Sequence, residues 1–568
     1  MDPGNENTNE NRVGTDSDDT VRPSRGARVV RTALGALAGL VAGFAALAVA
    51  ELTAAAVRPQ ASPVTAVGGA SIDLTPPALK NYAVEHFGTN DKTVLQLGIV
   101  VVLALFAVAL GLIALRLRRT GALGVLLFGA VGALAAATRP YAHPADVAPS
   151  LVGAVAGAAV LYGLAGRLAW GVRRPRRGDR AGTPGPADDA PATADDAAAP
   201  APTGGFDRRG FLLAAGAAAA ASAGTGLLGR SLNAHSGAQA TASRAAVRLP
   251  APASPAAPVP AGADLRLPGL SRFLTPDGSF YRVDTALVVP RVDATTWRLR
   301  VHGKGIAGEL DLSYDDLLRR DLIERDITLT CVSNEVGGPY VGNARWIGVR
   351  LADILREAGV RPPSRGGRAD QLVARSVDGM TIGSPVETVM DGRDAMLALG
   401  MNGQPLPFDH GFPVRMVVPG LYGYVSACKW LQELELTTFA DYDAYWVKRS
   451  WSREAPIKTE SRIDTPKPLA SLKAGTTVPV AGVAWAQHRG VARVEVRVDG
   501  GPWEQARLAA QDTKDTWRQW VWPWVVTSGS HTLEVRATDQ DGQTQPEHRV
   551  GTVPNGATGW HSVVVQAS

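Results

Sequence analysis

Cysteine is almost missing from this chain, with only Cys331 and Cys428 among 568 residues. That excludes a disulfide-stapled scaffold and any zinc or iron–sulfur site built from several thiolates, so each cysteine needs its own explanation. Histidine is also scarce, at nine residues, and none falls within a long apolar run; His86 and His143 lie between such runs. Paired-histidine heme ligation inside membrane spans is therefore excluded, and neither heme nor zinc is expected. The excess of positive charge is small, a net +5, and the basic residues bunch beside apolar runs instead of forming one patch interleaved with aromatics. No nucleic-acid partner is expected.

At this length about three or four domains are anticipated, and the residue types are segregated between them. Apolar runs at 32–50, 94–115, 121–138 and 147–166 are each close to the roughly 20 residues that cross a bilayer. Arg22, Arg25, Arg28 and Arg31 precede the first run, Arg116, Arg118 and Arg119 join the second to the third, and Arg173, Arg174, Arg176 and Arg177 follow the fourth. The excess of arginine puts these stretches on the cytoplasmic side and the loops 51–93 and 139–146 outside. Residues 1–28 read as a disordered cytoplasmic tail, 29–170 as a four-span membrane region, and the Pro/Ala/Asp-rich 171–205 as a disordered cytoplasmic linker.

The linker ends at Phe206-Asp207-Arg208-Arg209-Gly210-Phe211-Leu212-Leu213, followed by a weakly apolar Ala/Gly run to 230. This resembles a twin-arginine export signal, with an ordinary fifth span as the alternative reading. Four spans return the chain to the side on which such signals are read. The route exports folded proteins, so a cofactor would be acquired before export. Residues 231–265 read as a disordered outer linker, with Ala238-Gln239-Ala240 as a cleavage triplet.

The remainder divides into 266–452 and 453–568. In the first part, 326–331 alternates like a strand and ends at Cys331; a Gly/Asn-rich loop, 332–344, follows, and from Val349 the apolar spacing becomes helical up to Gly359. A lone cysteine at such a loop is a buried small hydrophobe, a nucleophile or a metal ligand. In the second part, short strands alternate around the turns Asp499-Gly500 and Asp541-Gly542, with Trp520, Trp522 and Trp524 on one face, as in an immunoglobulin-like β-sandwich.

The wording narrows these options. Segments 280–284 (FYRVD), 331–338 (CVSNEVGG), 342–355 (GNARWIGVRLADIL), 401–415 (MNGQPLPFDHGFPVR) and 422–431 (YGYVSACKWL) resemble the cofactor domain of the sulfite oxidase family, and the C-terminal strands resemble its dimerisation domain. The resemblance covers about residues 266–568. It implies a multi-domain chain: an N-terminal α-helical membrane region, an α+β cofactor domain of sulfite-oxidase type and the C-terminal sandwich.

It also implies one molybdenum-molybdopterin per chain, with the Cys331 thiolate on the metal, a soft ligand for a redox-active centre. Tyr281, Arg282, His410, Arg415 and the turn from Ser426 through Cys428 to Lys429 would bind the pterin, and Arg282 would also contact substrate. A family member would transfer an oxygen atom to or from a small oxyanion or sulfoxide and pass electrons to a quinone or cytochrome-type partner, and it could form a homodimer through the C-terminal domain. Two departures separate the chain from sulfite oxidases: Asp284 stands where they commonly have His, and Glu335 follows Asn334 where they have an Arg-rich segment. The fold also fits a true sulfite dehydrogenase, or a metal-free membrane-tethered binding protein.

Overall fold

The computed structural model describes residues 25–76, 91–139, 142–169 and 207–568; the expected tail before residue 25 and the linker 171–205 lie outside the described residues. The chain divides into two units. One is made of residues up to 230, and the other is 231–568 with the short segments 69–74 and 138–143.

The first unit is helical: α1 (Arg25–Val57), the first half of α2 (Pro63–Leu74), α3 (Asp91–Ala114), α4 (Arg118–Ala137), α5 (Ala148–Arg167) and the beginning of α6 (Arg208–Ala246). Among the described residues, five helices are long and apolar enough to cross a membrane, namely α1, α3, α4, α5 with the turn before it, and α6. Within the loop expected at 51–93 the chain instead forms the last turns of α1 and all of α2. α1 packs on α3 and α5, and α4 packs on both of these. Glycine permits the contact between α1 and α3: a Cβ at Gly39 would sit 1.9 Å from the Ala107 carbonyl oxygen, and one at Gly111 would sit 2.2 Å from that of Gly35. Arg31 closes one end of the bundle, donating from Nε to Leu168 O at 3.0 Å and from Nη2 to Leu115 O at 2.7 Å. These carbonyls, just past the C-termini of α5 and α3, have no intrahelical partner, and a cation is the appropriate cap.

In the second unit, the stretch expected as a disordered linker, 231–265, is ordered. α6 runs to Ala246, and Arg244 ties its last turn down by donating to Leu406 O and Pro405 O, each at 2.7 Å. The Ala-Gln-Ala triplet thus lies in a helix, with Ala240 fully buried. Beyond it, Ser254 pairs with Ile323 and Arg345 donates to Ala257 O at 3.0 Å. The Ala/Pro composition provides no core of its own, but the backbone finds partners on an existing sheet edge, which composition does not reveal.

The cofactor domain contains β1 (Arg298–Gly303), β2 (Leu310–Ser313), β3 (Leu322–Thr330), β4 (Val341–Arg350), β5 (Gln371–Ser376), β6 (Thr381–Pro385), β7 (Met396–Met401), β8 (Gln404–Pro405), β9 (Arg415–Val417) and β10 (Leu431–Thr437). One sheet has the order β2-β1-β10-β5-β6, in which β1 and β10 are parallel; the other has the order β3-β4-β7-β8, with β9 also paired to β7. The helices are short, so the domain is β-rich. Leu299, Trp346, Leu397 and Leu434 belong to its core, and strands such as β5 and β7 are buried along their whole length.

The C-terminal domain is a two-sheet sandwich with orders β11-β13-β17-β16 and β12-β19-β18-β14-β15. Its strands are β11 (Glu460–Thr465), β12 (Ser471–Leu472), β13 (Thr477–Trp485), β14 (Val491–Val498), β15 (Glu504–Gln505), β16 (Arg507–Leu508), β17 (Arg518–Val525), β18 (Gly529–Asp539) and β19 (His561–Ala567). Trp520, Val494, Val535 and Val565 fill the space between the sheets. At the turn after β14, Asp499 and Gly500 both adopt positive φ, +52° and +68°, as a tight hairpin requires. The boundary expected at 452 falls too early. Tyr422 N donates to Ala455 O and Ile457 N to Gly420 O, both at 2.9 Å, and Ala455 and Ile457 join the cofactor-domain core.

The two domains share a polar seam along β3. Thr328 N donates to Asp515 O at 2.9 Å and Trp517 N to Thr328 Oγ1 at 2.7 Å. The fully buried Gln487 donates to Thr328 O at 3.1 Å and to Thr330 Oγ1 at 2.9 Å. Replacing Gln487 with Ala strands these two buried acceptors at a cost of roughly 1–3 kcal/mol. Calorimetry of the full chain should show both domains unfolding together at a lower temperature; a lowered midpoint for the sandwich alone would contradict the shared seam.

Candidate cofactor site

β3 and β4 form an antiparallel hairpin whose last pair is Thr330 with Val341. Cys331 is the next residue, and its N–H donates to Tyr340 O at 2.9 Å. The connection is thus shorter than the loop expected at 332–344. β4 occupies Val341–Arg350, and the helix begins only at Leu351. Asn334 closes the loop: its N–H donates to Cys331 O at 3.0 Å, and its Oδ1 accepts from Tyr340 N at 2.8 Å. At Gly337, φ is +79° and a Cβ would lie 2.1 Å from the His561 ring, so only glycine fits.

Cys331 and Cys428 are free and buried. Burial pushes the Cys331 thiol up; hydrogen bonds from Ser333 and the charge of Lys429 work against the shift. Burial likewise pushes the Cys428 thiol far above its usual range, assisted by Asp378. Cys428 is therefore a neutral, packed thiol in the turn that leads to Lys429.

Around Cys331 the structure brings together Tyr281, Arg415 and Lys429. Tyr281 stacks on Phe280 with ring centres 5.2 Å apart and meets Tyr340 edge-on at 6.4 Å, and its hydroxyl is within electrostatic reach of Cys331 and Arg415. Arg415 is buried at the start of β9 over the Trp346 ring, and its Nη1 makes a long 3.4 Å bond to His410 O. Its Nε has no hydrogen-bond partner among the described residues, nor does His410 Nδ1. Burial and the neighbouring Arg415 lower the His410 pKa to about 4, so the ring is neutral. Because Nε2 faces Asp277 O at 3.0 Å, the proton is assigned there, which leaves Nδ1 as a buried acceptor.

The remaining expected residues sit differently. Lys429 donates to Asp284 Oδ2 at 2.8 Å and to Asp409 O at 3.1 Å. Arg282 is half-exposed at the rim, 3.1 Å from Asp409 and 3.7 Å from Asp284. The Ser426 hydroxyl is spent on Leu421 O and Tyr422 O within its own turn, so it braces the backbone. Three further carboxylates stand at the site: the exposed Asp409; Asp378, half-buried beside Asp284 and Lys429; and the buried Glu460, which approaches Asn334 from the C-terminal domain. A lone carboxylate in a strand or turn gives no local signal of what it will meet in the fold, so nothing in the sequence marks these three.

An unspent guanidinium nitrogen and an unspent imidazole acceptor, buried near a thiol, fit a flat, hydrogen-bonding ring system with an anionic tail. Comparison with known proteins points the same way. Residues 286–446 match the oxidoreductase molybdopterin binding domain, and residues 460–535 match a bacterial Ig domain. The chain is 33% identical over 322 residues to sulfite oxidase of Gallus gallus, covering 49% of this chain and 69% of that protein. It is 32% identical over 343 residues to mitochondrial sulfite oxidase of Mus musculus, covering 52% and 62%, and 29% identical over 335 residues to nitrate reductase [NADH] 1 of Oryza sativa, covering 48% and 36%. The chain belongs to the sulfite oxidase family. It spans about three fifths of the length of the mammalian relatives.

Glu460 yields a pH prediction. Burial raises its pKa from 4.5 to about 8, opposed by Asn334 and Lys458. The folded chain thus holds a proton that the unfolded chain releases, and the associated stability is complete below pH 4.5 and lost as pH rises through about 8. Glu460→Gln, which cannot ionise, should flatten the fall in melting temperature between pH 5 and 9. An unchanged slope would mean that Glu460 is ionised in the fold.

Proposed function

We propose that the chain is a membrane-anchored molybdopterin-dependent oxidoreductase, acting on the outer face of the membrane and transferring an oxygen atom to or from a small, preferably uncharged, oxo-compound such as a sulfoxide. The observation that carries this reading is the pairing of a buried thiol at a strand end with the unspent polar atoms of Arg415 and His410. Cys331 would hold the metal, and Tyr281, His410, Arg415 and Lys429 would hold the pterin and its phosphate. Bound there, the cofactor supplies two-electron oxygen-atom exchange. The protein groups orient it: Arg415 donates, His410 Nδ1 accepts, and the Phe280–Tyr281 stack walls the site.

Substrate preference follows from charge. Asp284 faces both Lys429 and Arg282, and Asp409 also faces Arg282, so two carboxylates offset the rim cation Arg282 and the buried Lys429. A dianion gains little in such a rim, whereas a neutral oxo-donor loses nothing. A kinship that includes both sulfite oxidases and a nitrate reductase is compatible with this.

The outer-face location rests on the arginines flanking the spans and on the Arg208–Arg209 signal. Arg31 at the shared end of α1, α3 and α5 supports a cytoplasmic assignment for that end. Electrons would leave to a quinone or cytochrome-type partner, and a homodimer through the sandwich is a further expectation.

Purified chain should contain about one molybdenum and one pterin. Cys331→Ser should lose turnover with the fold kept, and Cys428→Ser should be mild. A Cys331→Ser protein with full activity, or a wild-type chain devoid of metal, would leave the metal-free binding protein as the better reading.

In dye-linked assays, Arg282→Gln should raise KM for an oxyanion by about tenfold to a hundredfold, and Asp284→Asn should lower it by about tenfold, as expected for gain or loss of a charge-assisted contact. Rapid sulfite oxidation at micromolar KM by the unaltered chain would instead favour a true sulfite dehydrogenase.

A further inference from the structure

Glu460, Arg462 and Asp464 stand two residues apart on β11, so their side chains leave the same face of the strand. A strand face of alternating charge is ordinarily solvated, yet these residues are only 2%, 9% and 5% exposed. The face is spent on the cofactor domain. Arg462 Nη1 donates to Gly338 O at 2.7 Å and Nη2 to Ser271 Oγ at 3.0 Å, while Nε pairs with Asp464 at 2.7 Å. Asp464 in turn accepts from Ser271 N at 3.0 Å, and Glu460 lies against Asn334. Between them, Ile463 N donates to His561 Nδ1 at 3.0 Å, and that ring fills the space over Gly337.

Asn334, Gly337 and Gly338 all belong to the ten-residue connection that begins at Cys331. Three of its positions thus meet the C-terminal domain, Gly338 through a directed bond from Arg462, and a fourth contact, Gln487 on Thr330, holds the residue before the thiol. The turn carrying Cys428 is enclosed by its own domain: Met416 N donates to its carbonyl at 2.9 Å, and Asp378, Arg415 and Lys429 surround its thiol.

We propose that Arg462 is a positioning residue for Cys331, its guanidinium fork fixing the Gly338 carbonyl and so the aim and shielding of the thiol, with the immunoglobulin-like domain forming an integral wall of the cofactor site. The proposal rests on Cys331 being the metal ligand, but the restraint on its loop exists with or without metal. A guanidinium suits the task because its planar fork reaches the loop, Ser271 and Asp464 at once, which an ammonium cannot do.

The two cysteines provide the test. The full chain, produced in cells unable to make molybdopterin and solubilised in detergent, is treated with a thiol reagent, and labelling of each cysteine is followed by peptide mass. In Arg462→Ala, Cys331 should label about tenfold faster or more, as expected for loss of a buried charge-assisted bond, while Cys428 keeps its rate. Arg462→Lys retains a cation beside Asp464 and so spares the fold, and it should give a smaller acceleration at Cys331 alone. Unchanged Cys331 labelling in both variants overturns the proposal, as does equal acceleration at both cysteines, which reports general loosening. Because this readout needs no metal, loss of the molybdenum assignment would leave it standing. In chain loaded with cofactor, Arg462→Lys should also alter the molybdenum(V) paramagnetic resonance spectrum, a change that a purely structural role elsewhere would not produce.

Discussion

The strand that delivers Cys331 is an edge strand. β3 pairs with β4 on one side and has no sheet neighbour on the other, which leaves a row of backbone donors and acceptors that must be covered or hydrated. Much of the second unit is organised around that edge. At its first half the segment after α6 runs alongside, with Ser254 N donating to Leu322 O at 3.1 Å and Ser254 O accepting from Glu324 N at 2.9 Å. At its second half the C-terminal domain takes over through Asp515, Trp517 and Gln487. The covered edge fixes the strand, the fixed strand fixes the hairpin end, and the hairpin end presents the thiol. A disordered linker in place of the ordered segment, or a sandwich hinged freely on the cofactor domain, would leave this edge wet and the thiol loosely aimed.

Electrostatics in the site divide along the same line. Deep in the domain, Arg415 and the neutral His410 keep polar atoms unspent, and burial lowers the pKa of each. An uncompensated buried guanidinium is expensive, so its retention makes sense where a ligand completes it. Nearer the surface the reverse holds: the half-exposed Arg282 and the buried Lys429 already face carboxylates, Asp284 and Asp409. The unspent polar atoms therefore lie with Arg415 and His410.

How much of this was legible follows from the range of each interaction. The apolar runs locate α3, α4 and α5 to within a few residues because the length of an apolar run is a local property, whereas α1 and α6 extend well beyond theirs; the sandwich strands show themselves through two-residue alternation and Asp499-Gly500. Cys331 at a strand end was legible for the same reason. The Gly/Asn content of 332–344 predicts a loop that is too long, because the strand from Val341 is buried on both faces and takes Gly342 and Gly348 where another backbone or ring comes close, 2.8 Å from Phe280 and 2.0 Å from Leu397 O for an added Cβ. In segment 231–265 low complexity signals only the absence of a private core, and the segment needs none because it borrows a sheet edge.

The charged face of β11 shows the limit of such reading most clearly. Glu-Ser-Arg-Ile-Asp alternates as a half-solvated strand should, and every local rule turns Ile463 inward and the charges outward. Both inferences about alternation hold: Ile463 does enter the sandwich core, and the charges do leave its other face. What alternation cannot supply is the identity of whatever meets that other face. Here it is a second domain that offers the Gly338 carbonyl and the Ser271 amide and hydroxyl, so the desolvation of Arg462 and Asp464 is offset by directed bonds. Polar burial of this kind is satisfied in one relative placement of the partners, whereas an apolar patch tolerates sliding, and it therefore suits an interface that has to hold the loop after Cys331 in register.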